Sequence, residues 1–426
     1  MNKKLQIGIL VVVALFSFTV NAQIDKCATM QNLQKSFAKD PTLKQRMLDS
    51  EKATQQWISN HARNKKASGD IIVIPTVVHV IWNDPLENVS EDQILSQIDV
   101  LNEDFRLLNA DSLDDQHPFW PFTIDSEIEF CLAQQDPDGN PTTGITRTKT
   151  NVTAWDDNNF DNIKFTANGG RDNWDPTKYL NIYVVNLDGT TLGFATFPDE
   201  LATDPDLDGV VIRYEAFGTE GTAGTGDFSV NDRGRTGTHE VGHWLNLRHI
   251  WADTTCGDDF VTDTKPAKEA NYDCPAFPHR PNNQCGSDND GEMFMNYMDY
   301  VDDDCMNMFT GGQADRMHAA LNGPRSGLLT SIGCQLPTAL KEVNILNSVA
   351  IYPNPNNGEF TLSINLNSNN TVSASLINLV GASVKDIGVI SNQITTIDAT
   401  DVSTGAYYLR ISNSTTSIIK KVFITK

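Results

Sequence analysis

Three histidines and a glutamate fall within eleven residues of the stretch Thr238–Trp251, THEVGHWLNLRHIW, in a chain that has only eight histidines. His239 and His243 are four apart, so on a helix their imidazoles stand one above the other on a single face. Two neutral imidazoles so placed can take two corners of a tetrahedral zinc site. His249 can take a third, leaving the fourth position open for water, as a catalytic zinc requires. Glu240 lies beside the first ligand, where it can serve that water as general base. A straight helix would carry residue 249 away from the metal, so the chain must turn sharply between His243 and His249. Asn246 suits that turn, because asparagine is the non-glycine residue that best tolerates left-handed backbone. A buried amphipathic helix with incidental histidines does not account for such a density of ligands.

Other reactive groups cluster around this stretch in the chain. Cys27 is the odd one of seven cysteines, and a thiolate can fill the open position of a catalytic zinc and exclude water. In MNYMDYVDDDCMNMFT, Met295–Thr310, a methionine in a tight turn can floor the imidazoles. A tyrosine two residues later can reach the metal and donate to a developing oxyanion. CGDDFVTDT places Asp258, Asp259 and Asp263 together, a set of oxygens that could hold calcium. Cys256, Cys274, Cys285 and Cys305 flank the site, and disulfides among them would pin a long loop. Asp204–Glu215 matches the EF-hand formula, but its β-rich flanks and Pro205 make it an acidic surface turn. His79, inside the run DIIVIPTVVHVIW, reads as a satisfied histidine rather than a ligand. Glu269 is the nearest alternative third zinc ligand, but it sits in a Pro/Cys-rich loop.

The elements that must position these groups follow from pattern. The chain has 426 residues and a net charge of −23. Residues 23–66 carry 9 basic and 4 acidic side chains, 67–334 carry 15 and 46, and 335–426 carry 6 and 5. The strongly acidic middle argues against nucleic-acid binding and favours cationic partners. Residues 1–22 read as a secretory signal: Lys3 and Lys4, then an apolar run, then Val20-Asn21-Ala22. No other segment could span a bilayer. Residues 23–66 read as a propeptide with helices over Met30–Phe37 and Thr42–Ile58 and an activation site near Arg63, Lys65 and Lys66. Strands are expected at Asp70–Trp82, Glu127–Ala133, Leu180–Leu187, Gly193–Phe197 (an edge) and Gly209–Tyr214. Capping boxes start helices at Ser90 with Gln93, running to about Leu108, and at Thr310 with Gln313, running to about Leu321. The domain, 67–335, is therefore α+β, with a cleft beside the sheet edge. After a linker at 336–347, residues 348–426 carry about seven short β-rich runs, a small all-β Ig-like sandwich.

Together these residues resemble the pappalysin family of metzincins, particularly its bacterial, ulilysin-like branch, over about Cys27–Cys334. THEVGHWLNLRH, NYMDY, DDDCM, the four loop cysteines and Cys27 carry the resemblance. Metzincins have glycine where this chain has Asn246. The resemblance implies a metzincin-like twisted mixed sheet with an active-site helix. It implies zinc on His239, His243 and His249, Glu240 as base, Met298 as the Met-turn residue and Tyr300 as transition-state stabiliser. It makes Asp303 an S1′ aspartate selecting Arg or Lys after the cut, and Cys27 a zinc ligand in the zymogen. It pairs Cys256 with Cys285 and Cys274 with Cys305, puts calcium near Asp258 and Asp263, and has the Gly193–Phe197 strand bind substrate antiparallel. Cys131 and Cys334 then remain, and pair by arithmetic. YPNPNNGEF, GAYYLRI and the lysine-rich last strand resemble the sorting domain of the type IX secretion system, which implies secretion machinery as a partner.

The expectation is a secreted or cell-surface zinc endopeptidase made as a zymogen and acting on proteins or peptides. The alternative is an exported, non-catalytic adhesin on a zincin scaffold.

Overall fold

The computed structural model describes residues 26–61, 71–281, 285, 289–337, 349–364, 371–378, 381–391, 394–412 and 417–426. The signal expected at 1–22, the stretch Arg63–Lys66 and the linker beyond residue 337 lie outside the described residues. The chain forms two compact units, Met1–Leu336 and Pro337–Lys426.

The first unit opens with helices α1 (Thr29–Lys39) and α2 (Leu43–His61). They are broken at Asp40-Pro41, where the Asp40 carboxylate takes the Thr42 N–H at 2.9 Å. Then come β1 (Ile72–Trp82), α3 (Glu91–Phe105), β2 (Ile128–Leu132), β3 (Ile145–Lys149), β4 (Leu180–Val185), β5 (Gly193–Ala195), β6 (Val210–Arg213), α4 (Arg235–Trp244) and α5 (Gly311–Asn322). The strand order is β2-β1-β4-β6-β5, with β3 following β2 along the same side of β1. All pairings are parallel except that of β5, which runs antiparallel to β6 at the edge.

Side chains alternate across this sheet with the period of two that a strand imposes. Val78, Val80, Ile182, Val184, Val210 and Ile212 join the core shared with α3 and α4. Ile81, Tyr183, Val185 and Val211 point the other way, onto Trp155, Phe160 and Ile163. Both faces are covered, which is why β1 and β4 read as near-continuous apolar runs. His79 sits in this interior fully satisfied, with Thr146 Oγ1 at 2.7 Å and Asn181 Oδ1 at 3.0 Å.

Some sequence expectations need correction. Strand β3, ITRTK, escaped the pattern because its alternation is polar on an edge. Ser90 caps α3 as expected, but Gln93 does not return the bond. Its amide is spent on the carbonyls of Tyr214 and Phe217, tying α3 to the segment after β6. The turn at Asp204–Asp208 is not wholly at the surface. Asp208 is buried against Arg325, Trp244 and Thr196. Thr310 and Gln313 do form a reciprocal capping box on α5. Disulfides join Cys131 to Cys334, Cys256 to Cys285 and Cys274 to Cys305.

The second unit has seven described strands: β7 (Ala350–Tyr352), β8 (Glu359–Ser363), β9 (Val372–Ile377), β10 (Ser383–Ile390), β11 (Ile394–Asp398), β12 (Gly405–Ser412) and β13 (Ser417–Ile424). They form sheets β10-β9-β12-β13 and β11-β8-β7, all antiparallel. Phe360, Leu362, Leu376, Leu409, Ile411 and Val422 make their common core.

Candidate metal centre

Every residue of α4 is buried, so the helix is fixed on all sides rather than along one stripe. Its N-terminus carries no cap from its own neighbours. Instead Asp303, some seventy residues on, accepts the Arg233 and Arg235 N–H groups at 3.0 and 3.2 Å. A carboxylate there satisfies orphan amides and complements the helix dipole. The Thr238 hydroxyl and the Tyr297 hydroxyl both donate to Asp104, which locks α4 to α3 and to the segment bearing the methionine turn.

At its C-terminus the helix turns as the spacing requires. Asn246 has φ +74°, and the Leu247 N–H returns to the Gly242 carbonyl at 2.9 Å. The turn brings His249 back to the other two imidazoles. The three Nε2 atoms lie 3.1–3.2 Å from one another. Three ligands at about 2.0–2.1 Å on a tetrahedral zinc ion would lie roughly 3.3 Å apart, so the donor set fits the ion. Each ring is oriented through its other nitrogen. His239 Nδ1 meets the Tyr297 carbonyl at 2.7 Å, His243 Nδ1 the Leu247 carbonyl at 2.9 Å and His249 Nδ1 the Asp253 carboxylate at 2.7 Å. These partners fix the tautomer that leaves Nε2 free for a metal. Burial pushes His239 down to about 3 and His243 well below its ordinary value, so both are neutral.

Met298 lies fully buried beneath this group. A Cβ on Gly242 would come within 2.6 Å of its sulfur, so glycine at that position is what lets the turn close under the helix. On the other side, a Cβ on Gly193 would meet Glu240 Cγ at 2.9 Å, which is how β5 comes close to the glutamate.

The N-terminal segment occupies the centre. Cys27 Sγ lies within 4.8 Å of the three histidine nitrogens, and this is the one such set of three or more histidine, cysteine or carboxylate donors among the described residues. Its sulfur is 3.5 Å from Glu240 Oε2, to which Thr29 Oγ1 also donates at 3.0 Å. Burial, then the Glu240 charge, pushes the Cys27 thiol well above its ordinary value. A cation on the imidazoles reverses that preference, since a coordinating thiol is deprotonated. The Tyr300 hydroxyl donates to the Cys27 carbonyl at 3.4 Å. The segment runs parallel to β5, with the Leu192 N–H on the Lys26 carbonyl and the Ala28 N–H on the Gly193 carbonyl.

Beside Glu240 a pocket is lined by Lys26, Asn231, Tyr300, Val301, Asp303 and Met306. Lys26 Nζ pairs with Asp302 at 3.4 Å. Asp302 was not singled out by the sequence, nor were Thr29 and Asp253. Their roles come from residues distant in the chain or from loop geometry, and no spacing signals them.

Other candidates fall elsewhere. Glu269 is exposed and pairs with Lys268, away from the centre. Asp263 spends its two oxygens on the Thr310 hydroxyl and the Gly312 N–H. Asp258 accepts the Phe260 N–H, and Asp259 holds the Thr264 hydroxyl.

Comparison with known proteins adds to this geometry. Residues 165–322 match the family described as pregnancy-associated plasma protein-A, and residues 350–425 match the secretion system C-terminal sorting domain. An extracellular metalloprotease of Arthroderma otae is 30% identical over 276 residues, which cover 62% of this chain and 85% of that protein. An extracellular metalloprotease of Colletotrichum graminicola is 40% identical over 146 residues, 33% of this chain and 48% of that protein. Among solved structures, a promirolysin mutant of Tannerella forsythia matches with 41% identity and a TM-score of 0.64, covering 72% of this chain and 97% of that one. Mature mirolysin of the same organism, solved in complex with a cleaved peptide, matches with 46% identity and a TM-score of 0.58, covering 61% and 96%.

Proposed function

Since the chain belongs to the pappalysin family of metalloproteases, we propose that His239, His243 and His249 hold its zinc ion and that Glu240 and Tyr300 carry the chemistry. The protein is a secreted metalloendopeptidase with a zymogen form, and it carries a type IX sorting domain. The observation that carries the assignment is the convergence of three Nε2 atoms beside a glutamate that a peptide segment already covers.

Zinc at that site supplies a polarised water and positive charge for a developing oxyanion. Glu240 takes the proton of the attacking water and passes it to the leaving amine. Tyr300 Oη donates to the scissile carbonyl oxygen as charge builds on it; its bond to the Cys27 carbonyl is the observation behind that role. Substrate adds to the edge of β5 in antiparallel fashion. The N-terminal segment, read as the propeptide of residues 23–66, lies the opposite way. Its peptide bonds are therefore presented in reverse while Cys27 covers the metal side of Glu240, which accounts for latency.

The preference is for Arg or Lys after the cut. Lys26, the residue before Cys27, reaches the pocket that Asp303 lines and pairs with Asp302. In a substrate running antiparallel to β5, the residues beyond the cut lie on this side. Asp303 is committed to the start of α4, so Asp302 is assigned the contact with the basic side chain and Asp303 the shape and field of the pocket. Calcium near Asp258 and Asp263 is a separate expectation that rests only on their closeness in the sequence; a calcium-dependent rise in melting temperature would check it.

The test uses the propeptide-free enzyme and peptides that differ only after the cut. Cleavage should be abolished by a zinc chelator, and Arg or Lys should exceed Ala by about tenfold or more in kcat/KM, as a charge-assisted pair would give. Asp302→Asn should shrink that ratio. A flat profile, or a ratio unmoved by the substitution, would remove the specificity assignment.

A further inference from the structure

Two guanidinium groups meet where α4 gives way to its turn. Arg316, on α5, is fully buried and donates through Nε to the Asn246 carbonyl at 3.2 Å. Arg248, next to the ligand His249, is half-buried, with its Nε buried and without a hydrogen-bond partner. The Phe260 ring flanks both, with the guanidinium carbons 4.7 and 5.9 Å from its centroid.

Two like charges held this way require a counter-carboxylate. The zymogen supplies it from the propeptide. Glu51 of α2 makes a two-point contact with Arg316, at 2.8 and 2.9 Å. Of the other acids facing the pair, Asp253 is bonded to His249 and Asp259 to Thr264; Asp199, bonded to Ser50 of the propeptide, faces Arg248 and stays with the enzyme, but the two-point partner of Arg316 is Glu51. Removing the propeptide removes Glu51 and leaves the pair facing the space α2 occupied.

That space has a defined place along the cleft. From Cys27 the propeptide follows β5 toward its C-terminal end, with the Ala195 N–H on Thr29 Oγ1. Phe197, just beyond β5, packs against Leu33, Leu43 and Met47, and α2 packs on the turn Pro198–Glu200. A substrate antiparallel to β5 has the residues before its cut on this side. We infer that Arg248 and Arg316 form a carboxylate-binding subsite that selects an acidic side chain on the amino-terminal side of the scissile bond. The inference rests on the proposed substrate direction along β5. The propeptide then presents a base, Lys26, on one side of the metal and an acid, Glu51, on the other, the two features the substrate would share.

The experiment scans Glu, Gln and Lys through the positions before the cut, in peptides with a common Arg after it, using the propeptide-free enzyme. At one position Glu should exceed Gln by about tenfold in kcat/KM, the gain expected of a charge-assisted pair, and Lys should fall below Gln. The ratio is read within each variant, so a general loss of activity cancels. Arg248→Met and Arg316→Met should flatten it, and Arg248→Glu should turn it toward Lys. A second readout needs no catalysis or variant enzyme: a synthetic peptide of Leu43–His61 should bind the propeptide-free enzyme about tenfold more tightly than its Glu51→Gln version. A flat scan with equal binding of the two peptides overturns the subsite. A preference that survives both methionine variants overturns its assignment to these arginines. Loss of the Arg preference after the cut would instead count against the reading of the metal cleft.

Discussion

The two units of the chain treat buried polarity in opposite ways. In the second, the buried set is almost wholly apolar, with Asn356 the buried polar residue among those described. In the first, Asp104, Asp208, Glu240, Asp299, Asp303, Arg235, Arg316, Arg325 and the three converging histidines are all interior. A buried charge is costly unless paired and hydrogen-bonded, and Asp104, Asp208, Asp303, Arg235, Arg316 and Arg325 are bonded to partners far along the chain. Asp208 takes two contacts from Arg325 at 3.1 and 2.8 Å and one from the Trp244 ring N–H at 3.0 Å. Arg325 then donates to the Trp244 carbonyl at 2.7 Å, at the end of α4. Polar interior in this molecule marks where atoms must be held in position; apolar interior marks where a module only has to stay folded.

Substitutions in the two units should separate accordingly. Tyr300→Phe removes the donor proposed for the scissile carbonyl, so kcat/KM should fall by roughly 10²–10³ with zinc retained, as loss of one oxyanion donor does elsewhere; an unchanged rate would take Tyr300 out of the mechanism. Asp253→Asn leaves the ligands but weakens the group that orients His249. Zinc affinity should drop by about 10–100-fold, measured by competition with a chelator. If affinity is unaltered, Asp253 has no positioning role and polarity around the metal is less purposeful than the comparison holds. Leu409→Ala opens a cavity in the sandwich core. It should cost about 2–5 kcal/mol of that unit's stability by denaturant titration, with kcat/KM on a short peptide unchanged. Altered peptide turnover would show that the two units are not independent in chemistry.

The same contrast explains what the sequence makes legible. The converging histidines are legible in the sequence because metal chemistry demands fixed residue types at fixed spacing, and Asn246 could be assigned to the turn because few residues tolerate positive φ. The seven strands of the sandwich were readable from alternation alone. Partnerships between remote residues were not. Nothing near Asp303 in the chain announces that it caps α4, and nothing near Glu51 announces Arg316. Gln93 shows the same limit, since a local capping formula lost to tertiary contacts with Tyr214 and Phe217. Strand β3 was lost because an edge strand need not be apolar.

The central claim is that Glu240 moves protons at a zinc site built by three histidines. It is tested most directly by measuring zinc content and peptide turnover together in the propeptide-free Glu240→Gln enzyme. The account predicts one zinc ion per chain, as in the parent, with turnover reduced by at least about 10²–10⁴, the contribution of a general base. Turnover close to the parent's, with zinc bound, would contradict it.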